Sequence, residues 1–450
     1  MTALATGLRQ ARAFARAAAY LPETTYYEAT TRRVAAPALS GDITADAVVI
    51  GGGYLGLTTA LRLAERGRDV VLLEAGRVGG GASGRNGGFV LPGFTAGNEA
   101  IAHRLGDQAA ADLWALSVEG VAEVKALIAR HQIDCDLREG VFVAAAEAGH
   151  ARSLRREAAT LRRHFGYRSL EHLDAAEGRG VVATERYFGG NLDRNAAQLH
   201  PLRYAVGLAD AARAAGVRIF EHSPVIAVDQ TGAAPVARTT LGSVRAGSVV
   251  LAANAYIGGL APDVAGRILP LRTFMVATEP LPRALADRLF PAGAAVYDTQ
   301  AVLDYYRLGA DGRLLFGGGC AAGDWSRERI ARAMRRKIGK VFPDLRGVRI
   351  DYAWGGLIDV TVNRMTDVGR TADGIWYAQG FSGHGVALTA RTGRALADAI
   401  CGDGADYARL AAMPHRSVAP LRPIAGLALQ AGLVWQRVRQ GLGSNALMSL

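Results

Sequence analysis

The stretch Val48-Val-Ile-Gly-Gly-Gly-Tyr-Leu-Gly-Leu57 constrains this chain more than any other part of it. Apolar residues run directly into Gly51, Gly53 and Gly56 and then into helix-compatible text that ends near Arg66, which is the order strand, tight turn, helix. A second strand, Asp69-Val-Val-Leu-Leu-Glu74, begins just after that helix and closes on a carboxylate 21 positions beyond Gly53. The glycines do different things. Gly51 permits the turn, Gly53 lets the backbone approach a pyrophosphate, and Gly56 lets helix and strand pack closely. The helix N-terminus, with Tyr54 and Leu55 in its first turn, then faces negative charge, and Glu74 suits a ribose 2′-hydroxyl. With strand, helix and acid all in place, the fingerprint reads as a dinucleotide site. It does not choose between FAD and NAD.

At 450 residues, half of them apolar, the chain has enough material for at least one large core and is expected to form two domains. Its net charge is +11, but 49 of the 52 basic residues are arginines scattered along the sequence. Without a concentrated basic run or a zinc-finger or RNA-binding signature, nucleic acid is not an expected partner. Three widely spaced cysteines, Cys135, Cys320 and Cys401, form no CxxC pair, which argues against a disulfide scaffold or a metal site and fits a reducing, cytoplasmic setting. No window reaches the roughly 18 consecutive apolar residues of a membrane span. The first 21 residues, arginine-bearing and free of acids, read as a leading helix rather than a targeting signal.

After the second strand comes Gly79-Gly-Gly-Ala-Ser-Gly-Arg-Asn-Gly-Gly88, ten residues with six glycines. So much glycine costs backbone entropy on folding, and close approach to a flat or charged ligand explains its presence. Helical text runs from about 99 to 130 and from 148 to 165, with a strand-like piece at 140–144 between them. The β/α pattern returns at 201–215, 217–220, 224–229 and 248–253. Strand-rich text then covers 271–279, 301–308 and 313–316, followed by a helix at 325–340 and a strand at 349–354. A last strand, 375–379, leads into Gly380-Phe-Ser-Gly-His-Gly385, which opens a helix running to about 400. The expected architecture is α/β and α+β, with interleaved domains: an arm at 1–43, a dinucleotide domain from 44–98, 195–262 and 365–408, a mainly antiparallel substrate domain from 99–194 and 263–364, and a tail at 409–450. A continuous NAD domain fits this order badly. The tail, with Pro414, Pro420 and Pro423, is a candidate for packing on the body or for contact within a homo-oligomer.

The fingerprint, Gly81-Ala-Ser-Gly-Arg-Asn-Gly-Gly88, Pro270 to Pro280, Trp354-Gly-Gly356 and Tyr377 to Gly385 together resemble the glycine oxidase/D-amino-acid oxidase-like FAD-dependent superfamily, and within it the gamma-glutamylputrescine oxidases. The likeness covers about residues 20 to 405. It implies a D-amino-acid oxidase-like fold and FAD at the fingerprint, with Gly81, Ala82, Ser83, Arg85, Asn86, Gly87 and Gly88 beside the isoalloxazine. Gly380, Phe381, Ser382, Gly383, His384 and Gly385 stand near its pyrimidine edge, and Ala75, Val225, Ala252 and Ala253 complete the cofactor contacts. A helix start there stabilises charge near N1 and C2=O without a titrating side chain. The reaction implied is oxidation of a carbon–nitrogen bond, with hydride passing to flavin N5, an imine hydrolysed by water, and O2 as the acceptor. Covalent attachment, as in the sarcosine oxidase branch, needs a cysteine near Trp354, and the text there is Trp-Gly-Gly-Leu-Ile; the FAD is expected to be noncovalent. No lysine lies in 271–279, so Arg272 is the cation expected near the flavin, and oxidase versus dehydrogenase stays open.

His384 reads as a flavin or substrate contact rather than a required base, because an amine that arrives neutral needs none. Period-two geometry puts Tyr305 and Arg307 on one strand face and Tyr306 on the other. All three, with Trp354, are substrate candidates: the aromatics to wall an aliphatic amine, and Arg307 to pair with a carboxylate. Tyr26 and Tyr27 are placed at the pocket mouth or in a packed arm. Two other readings stay open on the sequence, an oxidoreductase of an amino acid, N-methyl amino acid or cyclic imino acid, and a non-catalytic flavoprotein with structural FAD.

Overall fold

Val48 to Ile50 and Val70 to Leu73 are buried at 5% exposure or less, the signature of strands covered on both faces of a parallel sheet. The computed structural model describes residues 24–321 and 325–419. Its first sheet has eight strands. Across its main path the order is Asp367–Arg370, Trp376–Gln379, Gly242–Leu251, Gly41–Ile50, Val70–Leu73 and Arg218–Phe220, all parallel except the first pair. The hairpin Ala227–Asp229 with Val236–Arg238 pairs onto Gly242–Leu251.

The second sheet has nine strands and is mainly antiparallel. Its order is Ile350–Thr361, Ile268–Pro280, Arg313–Ala321, Tyr305–Leu308, Ala295–Asp298, Arg138–Ala144, Gly190–Gln198 and Phe89–Val90, with Leu170–Leu173 also on Gly190–Gln198. One face packs on the helix Arg327–Val341 through Phe274, Phe316, Tyr306, Met334 and Ile338. The other face meets the arm and the dinucleotide half through Tyr26, Tyr27, Leu202, Met275, Leu315 and Trp354. The expected α/β plus α+β architecture is what forms.

Three details differ from expectation. The helical text at 99–130 is two helices, Asn98–Leu105 and Asp107–Arg130, separated by Gly106 at φ +89°. The second of them does not sit in the substrate half. Its apolar stripe of Leu113, Val121, Val124 and Leu127 shares one core with Leu57 and Leu61 of the fingerprint helix and with Leu388. At Gly120 a Cβ would stand 2.7 Å from the Ala387 carbonyl, so the helix Gly385–Ile400 crosses at near backbone contact. The third is Gly190–Gln198, a strand that sequence patterning misses because its text is polar; Asp193 is satisfied there by Tyr167 Oη at 2.8 Å and by the amide of Asn195 at 2.9 Å.

The proposed leading helix at 1–21, and Pro420 and Pro423 of the tail, lie outside the described residues. Val418 donates to the Gly266 carbonyl at 2.7 Å, so the start of the tail packs on the body. No helix among the described residues is long and apolar enough to cross a membrane.

Candidate active site

The fingerprint turn is built as tightly as its glycines suggest. Gly51 has φ +114°, and a Cβ there would sit 2.6 Å from the Ala252 carbonyl oxygen; one on Gly56 would sit 2.0 Å from the Gly51 carbonyl oxygen. The helix Tyr54–Glu65 has no side-chain cap from Gly53, and its Tyr54 amide donates to Ser83 Oγ at 3.0 Å. Glu74 accepts from the amides of Gly52 at 2.7 Å and Gly76 at 2.8 Å, and its burial pushes its pKa up. Ala75 follows it, half-buried. Tyr54 and Leu55 contribute backbone here, since both side chains are buried and Tyr54 Oη donates to the Pro201 carbonyl at 2.9 Å. Ala252 closes the adjoining strand, its amide on Ile50 at 2.8 Å, while Ala253 and Val225 join the apolar cluster on that side of the sheet.

The glycine-rich loop 79–88 is held by its own polar residues. Asn86 Nδ2 donates to the carbonyls of Ala82 and Ser83 at 3.0 Å, and its Oδ1 accepts from Gly88 at 2.7 Å. Arg85 donates to Gly80 at 2.9 Å and to Gly355 at 3.2 Å, and its carbonyl accepts from Trp354 Nε1 at 3.0 Å. Gly81 lies against the Tyr256 ring, where a Cβ would stand at 3.2 Å. Gly87 is wedged between Phe89 and Tyr305, each 2.9 Å from a Cβ placed there.

The third passage carries Gly380 at φ +74°, Ser382 at +51° and Gly383 at +88°. Phe381 is buried beneath it, and the Ser382 carbonyl accepts from Thr95 Oγ1 at 3.1 Å. His384 is the N-cap of Gly385–Ile400 but makes no side-chain cap bond. Burial holds its pKa down at about 4, so the ring is neutral at pH 7. The first amides of that helix therefore lack both intrahelical acceptors and a side-chain cap.

On the substrate side, Tyr305 and Arg307 share one face of their strand and Tyr306 points to the other. Tyr306 is fully buried, stacked on Phe316 at 5.3 Å and bonded to Tyr187 Oη at 3.1 Å, so it packs the core under the helix layer instead of lining a pocket. Arg307 is 3% exposed; its Nε donates to the Gly87 carbonyl at 2.8 Å, its Nη2 reaches Tyr27 Oη at 3.4 Å, and no carboxylate among the described residues pairs with it. Trp354 is 1% exposed and meets Tyr27 edge-on at 5.4 Å. It bears on the loop through its bond to Arg85. Arg272 shares the strand face of Phe274, next to Gly355, whereas Arg85 lies against Gly356 on the opposite face.

Residues 46–399 match the family model DAO, FAD-dependent oxidoreductase. The chain belongs to this family. Gamma-glutamylputrescine oxidoreductase of Escherichia coli (strain K12) is 41% identical to it over 392 residues, 87% of this chain and 92% of that protein. The probable oxidoreductase OrdL of Haemophilus influenzae is 37% identical over 416 residues, 92% of this chain and 96% of that one. The crystal structure of glycine oxidase from Geobacillus kaustophilus superposes with a TM-score of 0.67 at 22% identity, covering 79% of this chain and 94% of that one, a likeness of fold.

The site of this DAO-family enzyme fits FAD on its own geometry. Two helix N-termini without side-chain caps from their N-cap residues, Gly53 and His384, open toward the glycine passages. Buried Asn254 Oδ1 and His384 Nδ1 have no partner among the described residues, as polar atoms that meet a ligand would. Among the described residues no cluster of three or more His, Cys, Asp or Glu is placed to hold a metal.

Two residues that sequence patterning does not single out, Asp359 and His200, organise this site. Asp359 bonds the passage at Gly380 from the strand Ile350–Thr361. His200, 2% exposed, caps the helix Pro201–Ala214 by accepting from the Arg203 amide at 3.2 Å, which assigns the proton to Nε2, 3.0 Å from Thr30 Oγ1. Thr30 in turn donates to the Tyr26 carbonyl at 2.8 Å, so one imidazole pins the arm. Its only sequence signal is His-Pro at a helix start.

Burial, then the Arg307 and Arg203 charges, hold the His200 pKa at about 3 against an ordinary 6.5. The unfolded chain takes up a proton near pH 6.5 and the folded chain does not, so stability from neutral His200 is complete above 6.5 and is lost as pH falls toward 3. The expected result is a melting-temperature gap between wild type and His200→Asn of about 1–2 °C at pH 7.5, from about 1–2 kcal/mol of lost bonding. That gap narrows at pH 4.5, as scanning calorimetry at the two pH values will show.

Proposed function

We propose that this enzyme oxidises an amine that carries a remote carboxylate, with a γ-glutamylated diamine such as γ-glutamylputrescine as the preferred substrate and noncovalent FAD as cofactor. The observation that carries the substrate reading is Arg307, a buried guanidinium without a carboxylate partner among the described residues, bonded to Gly87 of the loop assigned to the flavin. Leaving such a charge unpaired is costly, and a substrate carboxylate offsets that cost. The 41% identity to gamma-glutamylputrescine oxidoreductase supports the choice of amine.

In this reading Glu74 takes the ribose, the first amides of Tyr54–Glu65 take the pyrophosphate, and the loop 81–88 flanks the ring system. Bound FAD supplies two-electron chemistry, hydride uptake from the carbon bearing the amine, and the imine left behind is hydrolysed by water. The helix start at Gly385 stabilises negative charge on the cofactor side. Tyr305 walls the aliphatic chain and Arg307 fixes its far end, so the carbon to be oxidised is set by distance from that anchor. Neutral His384 is a contact and carries no imidazolium proton at pH 7. Trp354 positions Arg85, and Arg272 is left out of the reacting centre.

The acceptor is proposed to be O2. After anaerobic reduction by γ-glutamylputrescine, admitting air is expected to restore the oxidised flavin spectrum and release one hydrogen peroxide per flavin. A flavin that stays reduced in air identifies a dehydrogenase instead.

A further inference from the structure

The strand Ile350–Thr361 belongs to the substrate-side sheet, yet it holds two of the glycine passages of the dinucleotide half. Near its middle, Gly355 accepts from Arg85 at 3.2 Å and Trp354 donates to the Arg85 carbonyl at 3.0 Å. Asp359, farther along, is 2% exposed and has no cationic partner among the described residues. Its Oδ2 accepts from the Gly380 amide, and its main-chain carbonyl accepts from Ser382 at 3.1 Å. Gly380 is needed for this approach, since a Cβ there would lie 2.4 Å from Thr361 Cγ2.

One residue thus fixes the passage at two points. The amides of Gly380 and Ser382 are committed to Asp359, and those of Gly383, Gly385 and Val386 are the ones left for the cofactor.

We propose that Asp359 is the positioning residue of the flavin-facing helix start: by clamping Gly380 to Ser382 it aims the amides that follow. Its removal frees the passage to rotate. Burial raises the carboxyl to about pKa 6, so it is ionised at pH 7 and binds the Gly380 amide as a charge-assisted acceptor.

The test is Asp359→Asn in the full chain, read by FAD dissociation, by the visible flavin spectrum and by kcat against KM. The expected result is at least a tenfold rise in the FAD dissociation constant, a displaced flavin band, and a kcat reduced at least tenfold while KM stays within twofold. A melting temperature that falls while FAD affinity and spectrum match wild type would make Asp359 a structural residue only and overturn the proposal. If Asp359→Asn does not fold, Asp359→Glu decides, because it keeps the charge and lengthens the arm that holds Gly380. FAD binding weakened at least threefold supports the clamp, and unchanged binding overturns it.

Discussion

Protein carrying Gly56→Ala is expected to purify colourless or to be lost to the insoluble fraction, with less than a tenth of the wild-type flavin per chain. A methyl group on Gly56 would stand 2.0 Å from the Gly51 carbonyl oxygen and 3.2 Å from Val49 Cγ1. The fingerprint helix cannot retreat, because its opposite side is wedged against the helix Gly385–Ile400, where a Cβ on Gly393 would already meet Thr58 Cβ at 3.0 Å. Overpacking of this kind costs about 1–3 kcal/mol or more. Any relaxation moves the Gly51 to Gly53 turn that is proposed to hold the dinucleotide. The ratio of flavin to protein absorbance measures the outcome, and stoichiometric flavin in the variant would show that the helix has room this geometry denies it.

A comparably large loss is expected from Arg307→Met. Methionine keeps much of the aliphatic volume and removes the charge, so Gly87 loses its 2.8 Å donor and a substrate carboxylate loses its counter-ion. Hydrogen bonds to charged groups are worth about 1.5–3 kcal/mol, which corresponds to about a 10- to 150-fold rise in KM for γ-glutamylputrescine. The analogue with its carboxylate converted to a carboxamide is expected to lose much less. Steady-state kinetics on the two substrates separates the roles: equal losses on both would reduce Arg307 to a prop for Gly87.

Much of this site is legible in the sequence, and the unread parts have physical reasons. The fingerprint can be read because Gly51 and Gly56 answer to contacts within the glycine motif and the strands beside it, a carbonyl and a helix–strand crossing. Asn86 and Gly88 likewise close on each other. Tyr305, Tyr306 and Arg307 alternate as a strand demands, but which face meets the core depends on the helix Arg327–Val341, farther along the chain. Asp359 is an acid near the end of a largely apolar strand, and its meaning comes from Gly380, 21 positions away in the other half of the molecule. Gly190–Gln198 hides for a related reason: its polar side chains are satisfied by partners such as Tyr167 that no local pattern announces.

An amine with a remote carboxylate is expected to reduce a flavin held by these passages. The decisive experiment is anaerobic stopped-flow of the yellow protein against γ-glutamylputrescine, putrescine, N-methyl amino acids, proline and D-amino acids, following loss of the visible flavin band. Rapid bleaching is expected with γ-glutamylputrescine, and bleaching at least tenfold slower with putrescine, which lacks the carboxylate that Arg307 is proposed to hold. Fast bleaching by an amino or imino acid, with none by the γ-glutamylated amine, would refute the proposed substrate class.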